Sequence, residues 1–293
     1  MIDIIMGYDC NILCDYCSVE LDMRTKNLST DEIKNEIMNG YDMGMREVAF
    51  GGGEPTIRRD LCKLAKFCRN LGFTRIKVSS NGLMYSYDSF CDEITGAGVN
   101  QFNISVMGHN GELYKSITGE EKYFHMVSKG IEKLNERGAN VVLDVIMKND
   151  TYMHLSDIIR YYHRLGCNRF ILWLVSLIDR NASNRESLVS VEAMRESIFK
   201  CLDLSRELNV TTLSRHIPRC MLRGYEDHVY NLREDRVYVV TPTSRFNLWE
   251  SRISANRYCD KCVKCIYYNG ICMGIREDYL NKFGDREVEP YCY

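Results

Sequence analysis

No stretch of this 293-residue chain reaches the roughly 18 consecutive apolar residues that a membrane-spanning helix needs, so no transmembrane segment is expected. The start, MIDIIMGYDC, lacks a positively charged n-region and a small-residue cleavage site, and it reads as a first strand instead of a secretory signal. A cytoplasmic protein is expected. An excess of one charge is also missing: 38 lysines and arginines stand against 40 carboxylates, a net charge of −2. That balance lacks the basic surplus of a dedicated nucleic-acid binder. Arg215, Arg219 and Arg223 would make at most a local patch and read better as solvated surface. No low-complexity segment interrupts the chain, and no repeat is found beyond the strand–helix unit itself.

Cysteine, by contrast, is abundant, with 14 residues. In a small secreted protein that count would mean a disulfide framework; in a long chain without a signal the thiols stay reduced, and clustered cysteines point to metal. Cys62, Cys68, Cys91, Cys167 and Cys201 are scattered through helical or strand-like patterns and read as small core hydrophobes. The others cluster near the two ends.

With 45% hydrophobic and 27% charged residues, the chain can bury a sizeable core. Apolar strands are expected at 3–6, 47–50, 75–79, 103–107, 141–147 and 170–175. Helices are expected to follow at 29–43, 59–71, 87–97, 123–137, 155–165 and 190–208, the first opened by the capping box Ser29-Thr-Asp-Glu32. Strands alternating with helices argue for an α/β fold with a parallel sheet, and unbroken apolar strands argue that both its faces are covered. An open doubly wound sheet and an incomplete barrel both fit; in either, ligands gather at the C-terminal strand ends. From residue 209 the rhythm stops, which places a division between 1–208 and 209–293, with a hairpin at 237–240 and 246–249.

The first cluster is Cys10-x3-Cys14-x2-Cys17. Thiolates select zinc, copper(I) or iron–sulfur clusters. Structural zinc takes four ligands, and here three are at hand; the first histidine is His109. Three thiolates on a cubane of four irons leave one iron open for chemistry. The sequence here resembles the radical S-adenosylmethionine (SAM) superfamily, whose Cys-x3-Cys-x-aromatic-Cys motif follows the first strand of a partial (βα)6 TIM-like barrel, with Tyr16 in the aromatic position. The resemblance covers residues 1–208. It implies a [4Fe–4S] cluster on Cys10, Cys14 and Cys17 whose open iron is chelated by SAM. One electron then cleaves the sulfonium, and the 5′-deoxyadenosyl radical abstracts hydrogen from a substrate. Gly51-Gly52-Gly53-Glu54-Pro55, after the second strand, matches the family's methionine-binding element: glycines let backbone approach a ligand, and Glu54 offers a carboxylate to an ammonium. Ser79-Ser80-Asn81-Gly82 after the third strand and Ser105 at the end of the fourth match further SAM-contacting positions.

The second cluster is Cys259-x2-Cys262-x2-Cys265-x6-Cys272, preceded by Cys220. A tetrahedral zinc site fits such close pairs. The segment 261–274, followed by Tyr279 and Pro290, resembles the auxiliary-cluster tails of SPASM and twitch radical SAM enzymes. That resemblance implies a second, auxiliary [4Fe–4S] cluster on Cys220, Cys262, Cys265 and Cys272, with Cys259 the rival for one place. His109, past the fourth strand, is a candidate base that reads better as a plain loop residue. Lys148 and Asn149 end the fifth strand and face the same mouth. His216 and His228 read as surface or packing residues and Cys292 as a tail thiol.

These expectations make the chain a radical SAM enzyme acting on a peptide or a small metabolite, reduced by a donor such as flavodoxin or ferredoxin. The chain begins directly at a strand, without an N-terminal peptide-recognition domain, which weakens the peptide branch. The molybdenum-cofactor cyclase is similar in layout, but its C-terminal double glycine is replaced by a Pro-Tyr-Cys-Tyr ending. The alternatives are a non-catalytic iron–sulfur electron carrier, which needs no SAM pocket, and a zinc-stabilised nucleic-acid regulator, which needs a basic excess.

Overall fold

The computed structural model describes residues 1–230, 236–268 and 270–292. Seven parallel strands carry the fold: β1 (Ile2–Ile5), β2 (Glu47–Gly51), β3 (Arg75–Ser80), β4 (Gln101–Val106), β5 (Val141–Met147), β6 (Arg169–Leu174) and β7 (Thr211–Arg215). They lie side by side in chain order, each pairing with the next. Helices α1 (Thr30–Asp42), α2 (Leu61–Leu71), α3 (Asp88–Gly96), α4 (Gly111–Thr118), α5 (Lys122–Glu136), α6 (Leu155–Arg164) and α7 (Val191–Glu207) fill the crossovers. This is the expected α/β architecture of a partial barrel.

Local signals explain most boundaries. Ser29 Oγ accepts the Glu32 amide while the Glu32 carboxylate accepts the Ser29 amide at 2.7 Å, so α1 starts with a complete capping box. Gly72 closes α2 at φ 95°, a left-handed position that costs other residues energy. Phe50, Phe102 and Phe170 are fully buried between sheet and helices, the kind of side chain whose truncation to alanine costs about 3–5 kcal/mol. The five scattered cysteines Cys62, Cys68, Cys91, Cys167 and Cys201 are buried and free.

Two elements escape the apolar pattern. The stretch after His109 is helix α4, capped by Asn110 Oδ1 on the Leu113 amide at 2.9 Å and closed by Gly119. Strand β7 has the polar sequence TTLSR, yet Thr212 and Ser214 are buried. The Thr212 hydroxyl is satisfied by Ser205 Oγ at 2.8 Å, so a polar residue takes a core position without an unpaired donor.

The expected division near residue 208 leaves the sheet uninterrupted. Besides β7, the later segment supplies β8 (Tyr238–Val240) and β9 (Arg245–Asn247), the expected hairpin, and β8 runs parallel to β1. The result is a nine-stranded sheet with β1 in its interior. On the opposite side, residues Val229 and Tyr230 bridge to Ser214 of β7. The C-terminal segment thus covers both edges of the barrel sheet, where unpaired strand groups would otherwise invite association. It continues through α8 (Leu248–Ala255), the short antiparallel pair β10 (Asn256–Arg257) and β11 (Ile275–Arg276), and α9 (Glu277–Phe283). Arg276 fixes this unit to the barrel: its buried guanidinium donates to the Leu174 and Val175 carbonyls at 2.8 and 2.7 Å, to Ser176 Oγ at 2.6 Å, and to Asp278. Among the described residues, no helix is long and apolar enough to cross a membrane.

Candidate active site

The loop after β1 carries Cys10, Cys14 and Cys17, and the rest of the chain grips it by its backbone. Arg24 donates to the carbonyls of Cys10 at 3.2 Å and Ile12 at 2.9 Å; Arg180 donates to the Cys14 carbonyl at 3.1 Å. Lys148, 1% exposed, pairs with Asp15 at 2.9 Å and with Asp150. This lysine was expected at the ligand mouth. It instead ties the end of β5 to the cysteine loop, while the Asn149 amide bonds the Ser187 carbonyl at 3.1 Å. Arg24, Arg180 and Lys148 are the supports that local sequence patterns miss, because their partners lie up to 166 residues away.

The cysteine loop rests on the glycines after β2. Gly53 and Glu54 amides donate to the carbonyls of Gly7 and Asp9 at 2.9 and 2.7 Å. A Cβ on Gly52 would lie 2.2 Å from the Gly7 carbonyl oxygen, and one on Gly53 would lie 2.1 Å from that of Asp9. The glycines therefore admit the chain's own backbone, a closer constraint than the ligand approach expected of them.

Glu54, expected to serve an ammonium, is engaged by the chain's own donors. It is buried and is not among the residues lining the cavity described below. Its Oε1 accepts the Thr56 amide at 2.9 Å, the Thr56 hydroxyl and the Ser80 hydroxyl at 2.8 Å; its Oε2 accepts the Asn81 amide at 2.7 Å. The carboxylate clamps the loop after β2 to the loop after β3. Burial pushes its pKa up, and these hydrogen bonds oppose the shift. Asn81 extends the clamp, donating from its side chain to Asn11 in the cysteine loop at 2.8 Å.

These loops enclose a cavity of about 370 Å³ at the C-terminal ends of the strands. Cys10, Cys14, Cys17 and Tyr16 line one side; Gly52, Gly53, Ser80, Asn81 and Ser105 line the floor. Ile146, Trp173 and His216 close the far wall, so each of the seven parallel strands or its following loop contributes. Tyr16 donates its hydroxyl to Met107 Sδ at 3.1 Å, and burial holds it in the phenol form. Burial also raises the Cys10 thiol and pushes Cys14 up to about 12, with Cys17 and Cys10 adding like-charge repulsion. Three thiols that repel as thiolates are held together; a cation among them removes the conflict, since metal binding deprotonates thiols outright. The Ile12 amide already points at Cys10 Sγ, 3.5 Å away. This donor set fits an iron–sulfur cluster with an open iron.

His109 is not among the lining residues. Its ring lies 5.3 Å from that of His154, beside Asp157, and burial lowers its pKa. His228 packs through a ring nitrogen 2.7 Å from the Thr212 carbonyl, and Cys292 is exposed. His216, read as surface or packing, borders the cavity in a left-handed backbone conformation, φ 69°.

A second convergence lies in the tail. Cys220, Cys262, Cys265 and Cys272 line one small enclosed hollow, walled by Tyr258, Tyr268, Pro218 and Pro290. No histidine or carboxylate joins them in that lining. Burial pushes Cys220 and Cys262 up to about 12 and raises Cys272, each with further repulsion from neighbouring cysteines. The Gly274 amide faces Cys272 Sγ at 3.3 Å. Cys259 stands outside this hollow, its Sγ 3.3 Å from that of Cys262. Four converging thiols fit a fully ligated cluster, and they fit zinc as well.

Residues 4–162 match the Radical SAM superfamily. The chain belongs to it. A probable GTP 3′,8-cyclase of Methanococcus vannielii is 27% identical to this radical SAM chain over 195 residues, 66% of this chain and 63% of the relative. An AdoMet-dependent heme synthase of Oleidesulfovibrio alaskensis is 28% identical over 217 residues, 72% of this chain and 55% of the relative. The chain therefore spans less than two thirds of these curated relatives. In fold, this radical SAM chain is similar to Streptococcus suis SuiB bound to S-adenosylmethionine, with a TM-score of 0.73 at 14% identity, covering 99% of this chain and 76% of SuiB. The likeness in fold includes the cysteine-rich tail. Family membership implies a [4Fe–4S] cluster and SAM.

Proposed function

We propose that Cys10, Cys14 and Cys17 hold the radical SAM cluster, that SAM lies across Gly52, Gly53, Ser80, Asn81 and Ser105, and that the far wall of the cavity receives the substrate. The observation that carries this reading is the shared cavity: the three thiols and the SAM-binding candidates open on one space. When bound, the cluster and SAM supply a 5′-deoxyadenosyl radical by one-electron cleavage of a sulfonium C–S bond, and hydrogen leaves the substrate to make 5′-deoxyadenosine. The chain's own residues place and shield. Arg24, Arg180 and Lys148 fix the cysteine loop. The half-buried rings of Tyr16 and Trp173, on opposite sides of the cavity, narrow the reacting space against water.

Cys220, Cys262, Cys265 and Cys272 hold an auxiliary [4Fe–4S] cluster in this reading. His216 borders both the SAM cavity and a hollow lined by Cys220, Cys265 and Cys272, which supports a substrate seated between the two cofactors. The substrate is a peptide or a small metabolite. Both branches have precedent in similar proteins: SuiB has also been solved with its precursor peptide SuiA, and the methanogen relative is named for GTP. A small reduced electron carrier such as flavodoxin or ferredoxin is the expected donor.

Anaerobic reconstitution tests this. The expected result is about eight irons per chain, together with 5′-deoxyadenosine after SAM and dithionite are added. Fully loaded protein that forms no deoxyadenosine overturns it.

Glu54→Ala tests the clamp. It leaves the buried donors of Thr56, Ser80 and Asn81 facing an unfilled acceptor, at a cost of about 1–3 kcal/mol. We expect SAM to bind at least tenfold more weakly and the apo-protein's Tm to fall by several degrees. Weaker SAM binding at an unchanged Tm would assign Glu54 to the ligand alone.

A further inference from the structure

The SAM cavity opens beside a second cleft of about 410 Å³, and the two share Ser176, Ile178 and Arg252. Arg252 belongs to α8, in the tail. Among the described residues it is the only Asp, Glu, Lys or Arg side chain lining the SAM cavity. It also makes no hydrogen bond and no ion pair with any of them, although its guanidinium carries five donors.

Its neighbours are already committed. Arg276 is saturated by the carbonyls at the end of β6 and by Asp278. Asp278, the carboxylate whose charge bears on Arg252, also accepts the Leu177 amide at 2.7 Å. Glu277, which lines the adjoining cleft, pairs with Arg257. Arg215 lies over the rings of Trp173 and Tyr230, 4.6 and 3.9 Å from their centroids. His216 lines the same cavity, and burial together with the charges of Arg252, Arg276 and Arg215 lowers its pKa, which leaves Arg252 as the charged group on that lining. A desolvated guanidinium without a counter-ion is costly in the folded chain, and an arriving anion removes that cost.

We propose that Arg252 binds an oxyanion of the substrate, a carboxylate or a phosphate, in a bidentate pair at the junction of cavity and cleft. This rests on the proposed use of the cavity for SAM and substrate together, and it assigns the substrate to the anionic metabolites or to peptides presenting a carboxylate. Arg252 is a binding residue here: it fixes which end of the substrate points away from SAM.

The test uses cluster-loaded protein saturated with SAM, titrated separately with inorganic phosphate and with acetate by calorimetry. We expect one of the two anions to bind the unaltered protein. Arg252→Gln should weaken that binding at least tenfold, and Arg252→Lys, which keeps the charge but loses the fork, by less. Preference for phosphate identifies a phosphorylated substrate; preference for acetate identifies a carboxylate. The proposal is overturned if neither anion binds the unaltered protein, if Arg252→Gln binds as well as the unaltered protein, or if SAM affinity falls in Arg252→Gln as much as anion affinity, which would give the guanidinium to SAM's own carboxylate. Deoxyadenosine formation by the unaltered protein separates a failure of this proposal from a failure of the SAM reading beneath it.

Discussion

Cys14→Ala is expected to bring 5′-deoxyadenosine formation below detection and to remove about four irons per chain. Cys14 is the middle cysteine of the first loop, and its carbonyl is held by Arg180 at 3.1 Å. Its thiol is the one pushed up to about 12, so in the metal-free chain it stays protonated and only a bound cation converts it to a ligand. Without it two protein thiolates remain, and a cubane with two exposed irons is readily lost. Because the loop backbone is fixed by Arg24, Arg180 and Lys148, the fold should survive: circular dichroism and Tm should stay near those of the unaltered apo-protein. Retained SAM cleavage in Cys14→Ala would remove the cluster assignment from this loop. A collapsed fold would show instead that Cys14 is a packing residue.

The second large effect belongs to the tail. Cys272→Ala is expected to remove about four of the eight irons while leaving SAM cleavage measurable, because its thiol faces Cys220, Cys262 and Cys265 and not the SAM cavity. Deoxyadenosine should still form but no longer match substrate turnover. Elemental analysis decides between cofactors. Loss of one zinc at constant iron would make the tail a structural zinc site, and unchanged metal content would leave bare thiols. Cys259, 3.3 Å from Cys262 between sulfurs, can substitute for a lost neighbour on that side but lies outside the hollow that Cys272 lines. The tail should therefore tolerate loss of Cys259 better than loss of Cys272.

The strand–helix order was legible because each element carries its own signal: unbroken apolar strands at 141–147 and 170–175, a capping box at Ser29, a left-handed glycine at position 72. The first cysteine loop stood out by its spacing, and the role given to it came from the family resemblance that the Gly51–Pro55 and Ser79–Gly82 segments reinforced. What escaped depends on partners distant in sequence. Nothing near Lys148 announces that it meets Asp15, and nothing near Arg276 announces the carbonyls of Leu174 and Val175. Glu54 stood out because a carboxylate beside glycines suggests a ligand; its own hydrogen bonds could not be foreseen, since two of its four donors come from Thr56 nearby and two from Ser80 and Asn81, some 26 residues away. Strand β7 hid because Thr212 and Ser214 take buried positions where pattern expects valine or leucine; Ser205 satisfies the Thr212 hydroxyl, whereas that of Ser214 has no partner among the described residues. Arg252 escaped for the opposite reason: an arginine on a short helix is ordinary until the fold shows that it makes no hydrogen bond or ion pair among the described residues.

The pairing of β1 with β8 sets an order of assembly. Ile2 pairs on one side with Val48, close in sequence, and on the other with Tyr238, which follows 236 positions later. At about 5–20 residues per second, that strand waits on the order of tens of seconds for its neighbour. The loop bearing Cys10, Cys14 and Cys17 hangs directly from that strand. That loop is made long before the strand that flanks β1 on its other side, and a nascent chain stalled before residue 238 would carry Cys10, Cys14 and Cys17 on a sheet that still lacks β8.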